Sequence, residues 1–301
     1  MPPKQASPEG GLRLYAPAKI NLSLRVGPRR EDGFHAVDSL VAGITLYDQI
    51  DLHAREDGKI TLACEGFPCG PAEDNLVYRA AKLLAEGRSV AGAEIRLVKN
   101  IPPGGGLGGG SSDAACTLAG LNDLWNLNLS NEALREPAGR LGSDVPMFLG
   151  PLPSRMTGRG EILEPIDVFA FWAALILPAL NCSTRDVYRA FDALPAPRDE
   201  PLDSAILTQP PSQWRSRLVN HLAPAAFAVC PPLGELHGRL AKLLPAPVHL
   251  TGSGSSLFVL CDDRDEAERL VRAVPADLQK LCTIVRQNSW TDRGDSEKIR
   301  P

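Results

Sequence analysis

Residues Ile101 to Cys116 read IPPGGGLGGGSSDAAC, with six glycines in a run of seven. Nothing else in the 301 residues restricts the fold as much. Glycine at that density costs conformational entropy on folding, so its use needs a physical reason. A strand-like run, Glu94 to Val98, precedes it, and after it Ala115, Leu118, Ala119 and Leu121 repeat at helical spacing. Ser111 or Ser112 is expected to N-cap that helix, with Asp113 in its first turn. The stretch therefore reads as strand, glycine loop, helix N-terminus, which is not the setting of a flexible linker. Gly104, Gly106 and Gly109 satisfy the dinucleotide fingerprint G-x-G-x-x-G. However, Pro102 and Pro103 part the loop from its strand, and Asp123, at about the ribose-binding spacing, falls inside the helix. No G-K-[ST] follows, so the Walker A form fails as well. Free backbone N–H groups, no Cβ atoms and the positive end of a helix dipole are left, and together they make a cradle for a polyphosphate.

The rest of the chain alternates strand and helix signals. LRLYAPAKINLSLRV alternates as a paired strand does, and EDGFHAVDSLVAGITLYDQIDLHA reads as a turn followed by further strand or a short helix. DNLVYRAAKLLAEG is a helix capped by Asp74 or Asn75, and a second helix starts at Ser130, with Pro137 kinking or shortening it. SRMTGRGEILEPI looks like a hairpin leading to an apolar strand at 169–177. Residues 195–213, rich in proline, are expected as an exposed loop. Helical stretches at 233–244 and 265–273 flank VHLTGSGSSLFVLCD, a strand, Gly-Ser turn and strand. Two domains are expected, 12–163 and 164–288, between a flexible extension at 1–11 and a flexible tail at 289–301.

A net charge of −4 gives no basic footprint for nucleic acid. FAFWAALILPAL is broken by Pro178 and is too short to span a bilayer, and the N-terminus lacks an apolar signal core. The seven cysteines are odd in number and scattered, without a C-x-x-C pair. Reduced thiols in a cytoplasmic protein are the expectation, and neither Cys64 and Cys69 nor the isolated histidines complete a metal site.

Two charged residues stand apart from ordinary surface charge. Lys19 lies in the apolar strand APAKINLSL, and Asp144 lies where LGSDVPMFL turns into apolar sequence. Beside a polyphosphate loop they acquire a shared meaning. Phosphoryl transfer to an alcohol needs a carboxylate to accept the hydroxyl proton and cations to offset phosphate charge, and a lysine near the aspartate would keep it ionised.

With those residues in view, PPGGGLGGGSSDAA resembles the phosphate loop of the GHMP kinases, the superfamily of galactokinase, homoserine kinase, mevalonate kinase and phosphomevalonate kinase. Its lengthened form is similar to the branch that acts on 4-diphosphocytidyl-2-C-methyl-D-erythritol. APAKINLSLRV with RREDGFHAVDSL, then LNDLWNLNLS, LGSDVPMFL, TGRGEILEPI, STRDVY and LTGSGSSLFVL, match that branch in order over roughly residues 13–262. The resemblance implies an α/β (α+β) two-domain GHMP kinase fold with ATP and substrate in the cleft between domains. It implies that Asp144 is the catalytic base and Lys19 its paired lysine, with Asp144, Asn21, Phe34 and His35 contacting substrate, His35 reading the cytosine. Pro103, Gly104, Gly105, Gly106, Leu107, Gly108, Gly109, Gly110, Ser111 and Ser112, with Lys99 before them, would bind ATP. ATP with Mg²⁺ is the implied co-substrate, with no tightly bound organic cofactor and no metal-ligand cluster of the protein's own. The implied partners are ATP and the cytidyl-diphospho-methylerythritol alone, with no nucleic acid or membrane, for a monomer or homodimer. Phe34 stands where the branch usually has tyrosine, and Asn220-His221-Leu222 where it has Asn-Asp-Leu. A kinase of mevalonate, homoserine or a sugar fits the extended loop and DGFH less well. A nucleotide sensor without catalysis would not need both Lys19 and Asp144.

Overall fold

The computed structural model describes residues 4–7, 11–197, 200 and 202–288. The chain begins with β1 (Lys4–Ala6), β2 (Leu12–Arg29), β3 (His35–Arg55) and β4 (Ile60–Gly66). It continues through α1 (Leu76–Ala85), β5 (Gly92–Lys99), α2 (Gly109–Leu124) and α3 (Asn131–Leu141). The hairpin β6 (Ser154–Thr157) and β7 (Ile162–Pro165) leads to β8 (Trp172–Ile176) and α4 (Thr184–Asp192). Then come α5 (Ala223–Val229), α6 (Pro231–Leu243), β9 (His249–Leu250), β10 (Leu257–Cys261), α7 (Arg264–Ala273), α8 (Ala276–Gln279) and β11 (Cys282–Asn288).

Strands run β1-β2-β3-β11-β8-β10-β9, with β5 and β6 also on β3, β4 on β5 and β7 on β6. Among the described strands only β4 and β5 pair in parallel, and one isolated parallel bridge joins Leu24 to Asn220. One half of the molecule packs α1, α2 and α3 against the β2–β3–β5 sheet, and the other packs α4 to α7 around β8 and β10. β11 joins the halves, pairing with β8 along its length and reaching Ile44 and Gly43 of β3 through Gln287 and Asn288. A third core lies between them, where Ile20, Leu22 and Ile44 meet Phe171, Trp214 and Phe258.

β2 reaches all three cores by means of bulges. Leu14 and Ala16 face the first, Ala18, Ile20 and Leu22 the third, and Leu24 and Val26 the second. The register against β3 shifts between Pro17 and Ala18 and again between Asn21 and Ser23, and a bulge re-aims the side chains that follow it. Lys19 and Asn21 fall between those two shifts, which takes them off a solvated face and leaves each about 5% exposed or less.

Helix α2 lies close to this sheet because residue 120 is glycine. A Cβ there would come 2.3 Å from Leu14 Cδ1 and 2.6 Å from Leu52 Cδ1. Asn75 caps α1 through Val77 N–H, and Ser130 caps α3 through Ala133 N–H, with Pro137 inside that helix.

Three expectations are corrected, and the choice between strand and short helix after the DGFH turn falls to strand. Lys4–Ala6 is an edge strand on β2 rather than a free extension, and Lys4 Nζ pairs with Asp123 of α2 at 2.6 Å. A division at residue 163 cuts the β6–β7 hairpin, whose register pairs Met156 with Leu163. The segment 35–55 is one strand of 21 residues, long enough to pair with β2, β5, β6 and β11 in turn. Residues 204–213 are not simply an exposed loop, because short 3₁₀ turns there bury Leu207 and Pro211 and lead into the fully buried Trp214. The tail expected at 289–301 lies outside the described residues.

Candidate active site

The glycine loop runs from the end of β5 into α2. Gly104, Gly106 and Gly108 all adopt left-handed φ of 70–73°, separated by residues that do not, and such alternation turns successive N–H groups toward one side. The helix begins at Gly109 with Gly108 as its N-cap, without a side-chain cap bond. Ser111 and Ser112 are therefore within the first turn instead of capping it. The N–H groups of Gly109, Gly110 and Ser111 precede the first helical bond, which Ser112 N–H makes to Gly108 O at 2.9 Å, and no acidic residue stands in that turn to compete for them.

Close packing explains the other glycines. A Cβ on Gly106 would lie 2.4 Å from Thr251 O, and one on Gly105 would lie 2.8 Å from Ser256 Oγ. The loop thus docks on a second turn, Thr251–Ser256, from the other half of the molecule, and Ser256 N–H donates to Gly105 O at 3.1 Å. Asn220 Nδ2 holds that turn through Leu250 O and Gly252 O, each at 2.8 Å, while His221 Nδ1 accepts Val26 N–H at 3.0 Å. A Cβ on Gly108 would meet the Phe148 ring at 2.9 Å and Lys19 Cγ at 3.2 Å. Valine at 108 would therefore strain the fold from within before it reached a phosphate.

Lys19 reaches the loop from below. Its backbone N–H donates to Leu107 O at 2.9 Å, and its ammonium to Gly106 O at 2.8 Å and Asn21 Oδ1 at 2.6 Å. Asn21 donates in turn to Ser39 Oγ at 2.8 Å, and its N–H goes to Thr251 Oγ1 at 2.9 Å. Asn21 thus orients Lys19, and both ends of its amide are taken. Burial pulls the Lys19 ammonium below the ordinary lysine value, and the nearby charge of Asp144 opposes that. The two do not form an ion pair within 4 Å among the described residues, because the ammonium is turned to the loop carbonyl. Asp144 is half-buried ahead of the 3₁₀ turn Pro146–Leu149. Its side chain receives one hydrogen bond among the described residues, from Ser143 Oγ at 3.4 Å.

His35 does not leave a ring nitrogen for a base. Nδ1 faces Gly27 O at 2.9 Å, Nε2 faces Asp192 Oδ1 at 3.1 Å, and the ring packs against Tyr188 and Phe191 with centroids 5.2 and 5.8 Å away. Burial pushes the Tyr188 phenol up to about 12, and the negative charge of Asp144 adds to the shift. Phe34 stays open to solvent at 54%.

Lys99 is not free to hold a phosphate. Its ammonium donates to Asp48 Oδ2 and, at 2.7 Å, to Asp113 Oδ2, with all three side chains at most 8% exposed. Asp48 Oδ1 also accepts Asn100 N–H at 2.6 Å and Ile101 N–H at 2.8 Å. The cluster ties β3, the end of β5 and α2 together beneath the loop. Burial pushes the Asp113 carboxyl up to about 8 against the pull of Lys99. The folded chain thus holds this proton up to about pH 8, whereas an ordinary aspartate releases it near 3.8. Across that window the folded state binds more protons, so this group's contribution to stability falls as pH rises. Asp113→Asn is expected to flatten that fall, and melting curves at pH 5 and pH 8 check it: the variant should lose less Tm between them than the natural chain.

Against the start of the loop, a largely apolar recess of about 520 Å³ is lined by Phe67, Pro102, Gly104, Gly105, Leu180 and Asn181, among others. A groove of about 670 Å³ by Tyr78, Arg79 and Arg140 shares no residue with the loop, Lys19 or Asp144. Thr251–Ser256, Asn220 and Tyr188 join the site in the structure although the resemblance marks LTGSGSSLFVL, Asn220 and STRDVY without giving them a role.

A glycine loop at a helix N-terminus, a buried lysine behind it and a half-buried carboxylate whose charge reaches that lysine suit an ATP-dependent small-molecule kinase. Residues 75–150 match the GHMP kinases N terminal domain, and residues 211–280 match the GHMP kinases C terminal family. A 4-diphosphocytidyl-2-C-methyl-D-erythritol kinase of Pelotomaculum thermopropionicum is 39% identical over 278 residues, covering 90% of this chain and 97% of its own. One from Shewanella loihica is 37% identical, covering 87% and 89%. A crystal structure of 4-(cytidine 5'-diphospho)-2C-methyl-D-erythritol kinase superposes with a TM-score of 0.75 at 36% identity, over 92% of this chain and 99% of that one. The homoserine kinase of Cytophaga hutchinsonii shares the fold, with a TM-score of 0.64 at 18% identity over 92% and 94% of the two chains. The chain belongs to the 4-diphosphocytidyl-2-C-methyl-D-erythritol kinase family of the GHMP kinases. Among the described residues no helix is long and apolar enough to cross a membrane.

Proposed function

We propose that the chain transfers the γ-phosphoryl group of ATP to the tertiary 2-hydroxyl of 4-diphosphocytidyl-2-C-methyl-D-erythritol, giving the 2-phosphate and ADP in non-mevalonate isoprenoid precursor synthesis. The observation that supports this most is the junction of the Gly104–Gly110 loop with α2, backed by Lys19 and docked on Thr251–Ser256. In this reading the loop N–H groups hold the phosphates and the apolar recess by Phe67 takes the adenine. The acceptor oxygen attacks the γ-phosphorus as the bond to the β-phosphate oxygen breaks, and ADP leaves with that electron pair. Asp144 takes the hydroxyl proton, while Lys19 offsets charge building on the loop side.

Magnesium would travel with the ATP phosphates and lessen their charge. Ser111, partly exposed in the first helical turn, is the hydroxyl that fits such an ion, whereas Ser112 is wholly buried. The seven free thiols fit a reducing, cytoplasmic setting.

At the cytidine end, Phe34 offers the exposed aromatic face, and Tyr188 packs beside His35. Losing a stacking partner costs about 1–3 kcal/mol per base, so Phe34→Ala is expected to raise the KM for the cytidyl substrate roughly fivefold or more. The KM for ATP should hold. If both constants rose together, this segment would not be the nucleobase site. ADP release measured across the cytidyl substrate, mevalonate and homoserine tests the whole reading, which expects turnover with the first alone.

A further inference from the structure

Phe34 sits at the tip of the turn between β2 and β3, more than half exposed, where packing alone does not fix a ring. One of its faces is nevertheless covered. The Arg159 guanidinium carbon lies 4.6 Å from the ring centroid. Arg159 comes from the turn between β6 and β7, and Val37 N–H pins that turn to β3 by donating to Gly158 O at 2.8 Å. The Arg159 N–H donates to Glu161 Oε2 at 2.5 Å, which fixes the backbone from which the side chain departs. Asp32 completes the unit. Its Oδ1 accepts Phe34 N–H at 3.1 Å, and its Oδ2 lies 3.9 Å from Arg159 Nη1 and 3.4 Å from Arg30 Nε. The carboxylate thus holds the backbone of Phe34 while the guanidinium holds its ring. A guanidinium is planar and weakly hydrated, so it stacks on an aromatic face as an ammonium does not.

We propose that Arg159 is a positioning residue for the substrate's nucleobase: stacked on one face of Phe34, it presents the other face to the pyrimidine. This rests on Phe34 being the nucleobase shelf. A ring held in place before binding loses less freedom when the base stacks on it, so Arg159 lowers the KM for the cytidyl substrate without touching the reacting atoms. Arg159→Met keeps an apolar stem and removes the charge and the plane, while Arg159→Lys keeps the charge alone.

The test is a double-variant cycle in steady-state kinetics, with melting curves on the same preparations. Arg159→Met is expected to raise the KM for the cytidyl substrate about two- to fivefold, with kcat, the KM for ATP and Tm unchanged. Arg159→Lys should recover less than half of the loss. In a Phe34→Ala background, Arg159→Met should change nothing further. An unchanged KM in the single variant overturns the proposal. So does an effect of full size in the Phe34→Ala background, which would put the guanidinium on the substrate's diphosphate instead of on the ring. A Phe34→Ala chain with a normal KM for the cytidyl substrate would instead remove the nucleobase shelf itself, and Arg159's part with it.

Discussion

Asp144→Asn is expected to fold like the natural chain, bind both substrates and lose about a hundredfold or more in kcat. A tertiary alcohol must shed its proton as the new P–O bond forms, and a general base is worth about 10²–10⁴ in rate. The loose transition state of phosphoryl transfer moves that proton late, which puts the loss toward the lower end. Among the described residues the carboxylate receives only the long bond from Ser143, so little of the fold hangs on it. The opposing view makes Asp144 a turn residue that steadies the backbone before Pro146. That view expects a lowered Tm and near-normal turnover per folded molecule. Single-turnover rates and a melting curve on one preparation separate the two.

Lys99→Met should act on stability rather than on ATP. It leaves Asp48, wholly buried, without its cation, and removing one partner of a buried pair costs about 3–5 kcal/mol. For a chain of this size that corresponds to a Tm lower by on the order of 10 °C. If Lys99 served ATP directly, the same change would raise the KM for ATP and spare the Tm. Adding Asp48→Asn removes the stranded charge while leaving an oxygen for the Asn100 and Ile101 N–H groups. The double variant should regain most of the lost Tm, as replacing both members of a buried pair often does.

The parts of this site that could be read from the sequence are local. The glycine loop, the helix behind it, the caps at Asn75 and Ser130 and the hairpin at 154–165 depend on neighbours within a few residues, and periodicity and turn chemistry mark them. What escaped is set by partners far along the chain. Lys99 looked like a phosphate ligand because the carboxylate that claims it, Asp48, lies 51 residues away on another strand. His35 is implied by the resemblance to read the cytosine, and its partners Asp192 and Tyr188 come from α4, far along the chain. Lys19 was expected to face Asp144, and it turns instead to Gly106 O because β2 bulges on either side of it. Trp214 gave little sign of closing a core between halves, since its proline-rich surroundings have no period. The resemblance to the GHMP kinases supplied the arrangement of the loop and the two halves that no single segment carries.

The central claim is the transfer of a phosphoryl group to one particular hydroxyl, and the product itself tests it most directly. The purified chain with ATP, Mg²⁺ and 4-diphosphocytidyl-2-C-methyl-D-erythritol should yield, by phosphorus NMR, one new phosphomonoester on the 2-oxygen, equimolar with ADP, alongside an intact diphosphate. ADP without a new phosphomonoester, a phosphate on any other oxygen, or comparable turnover of mevalonate or homoserine would contradict it.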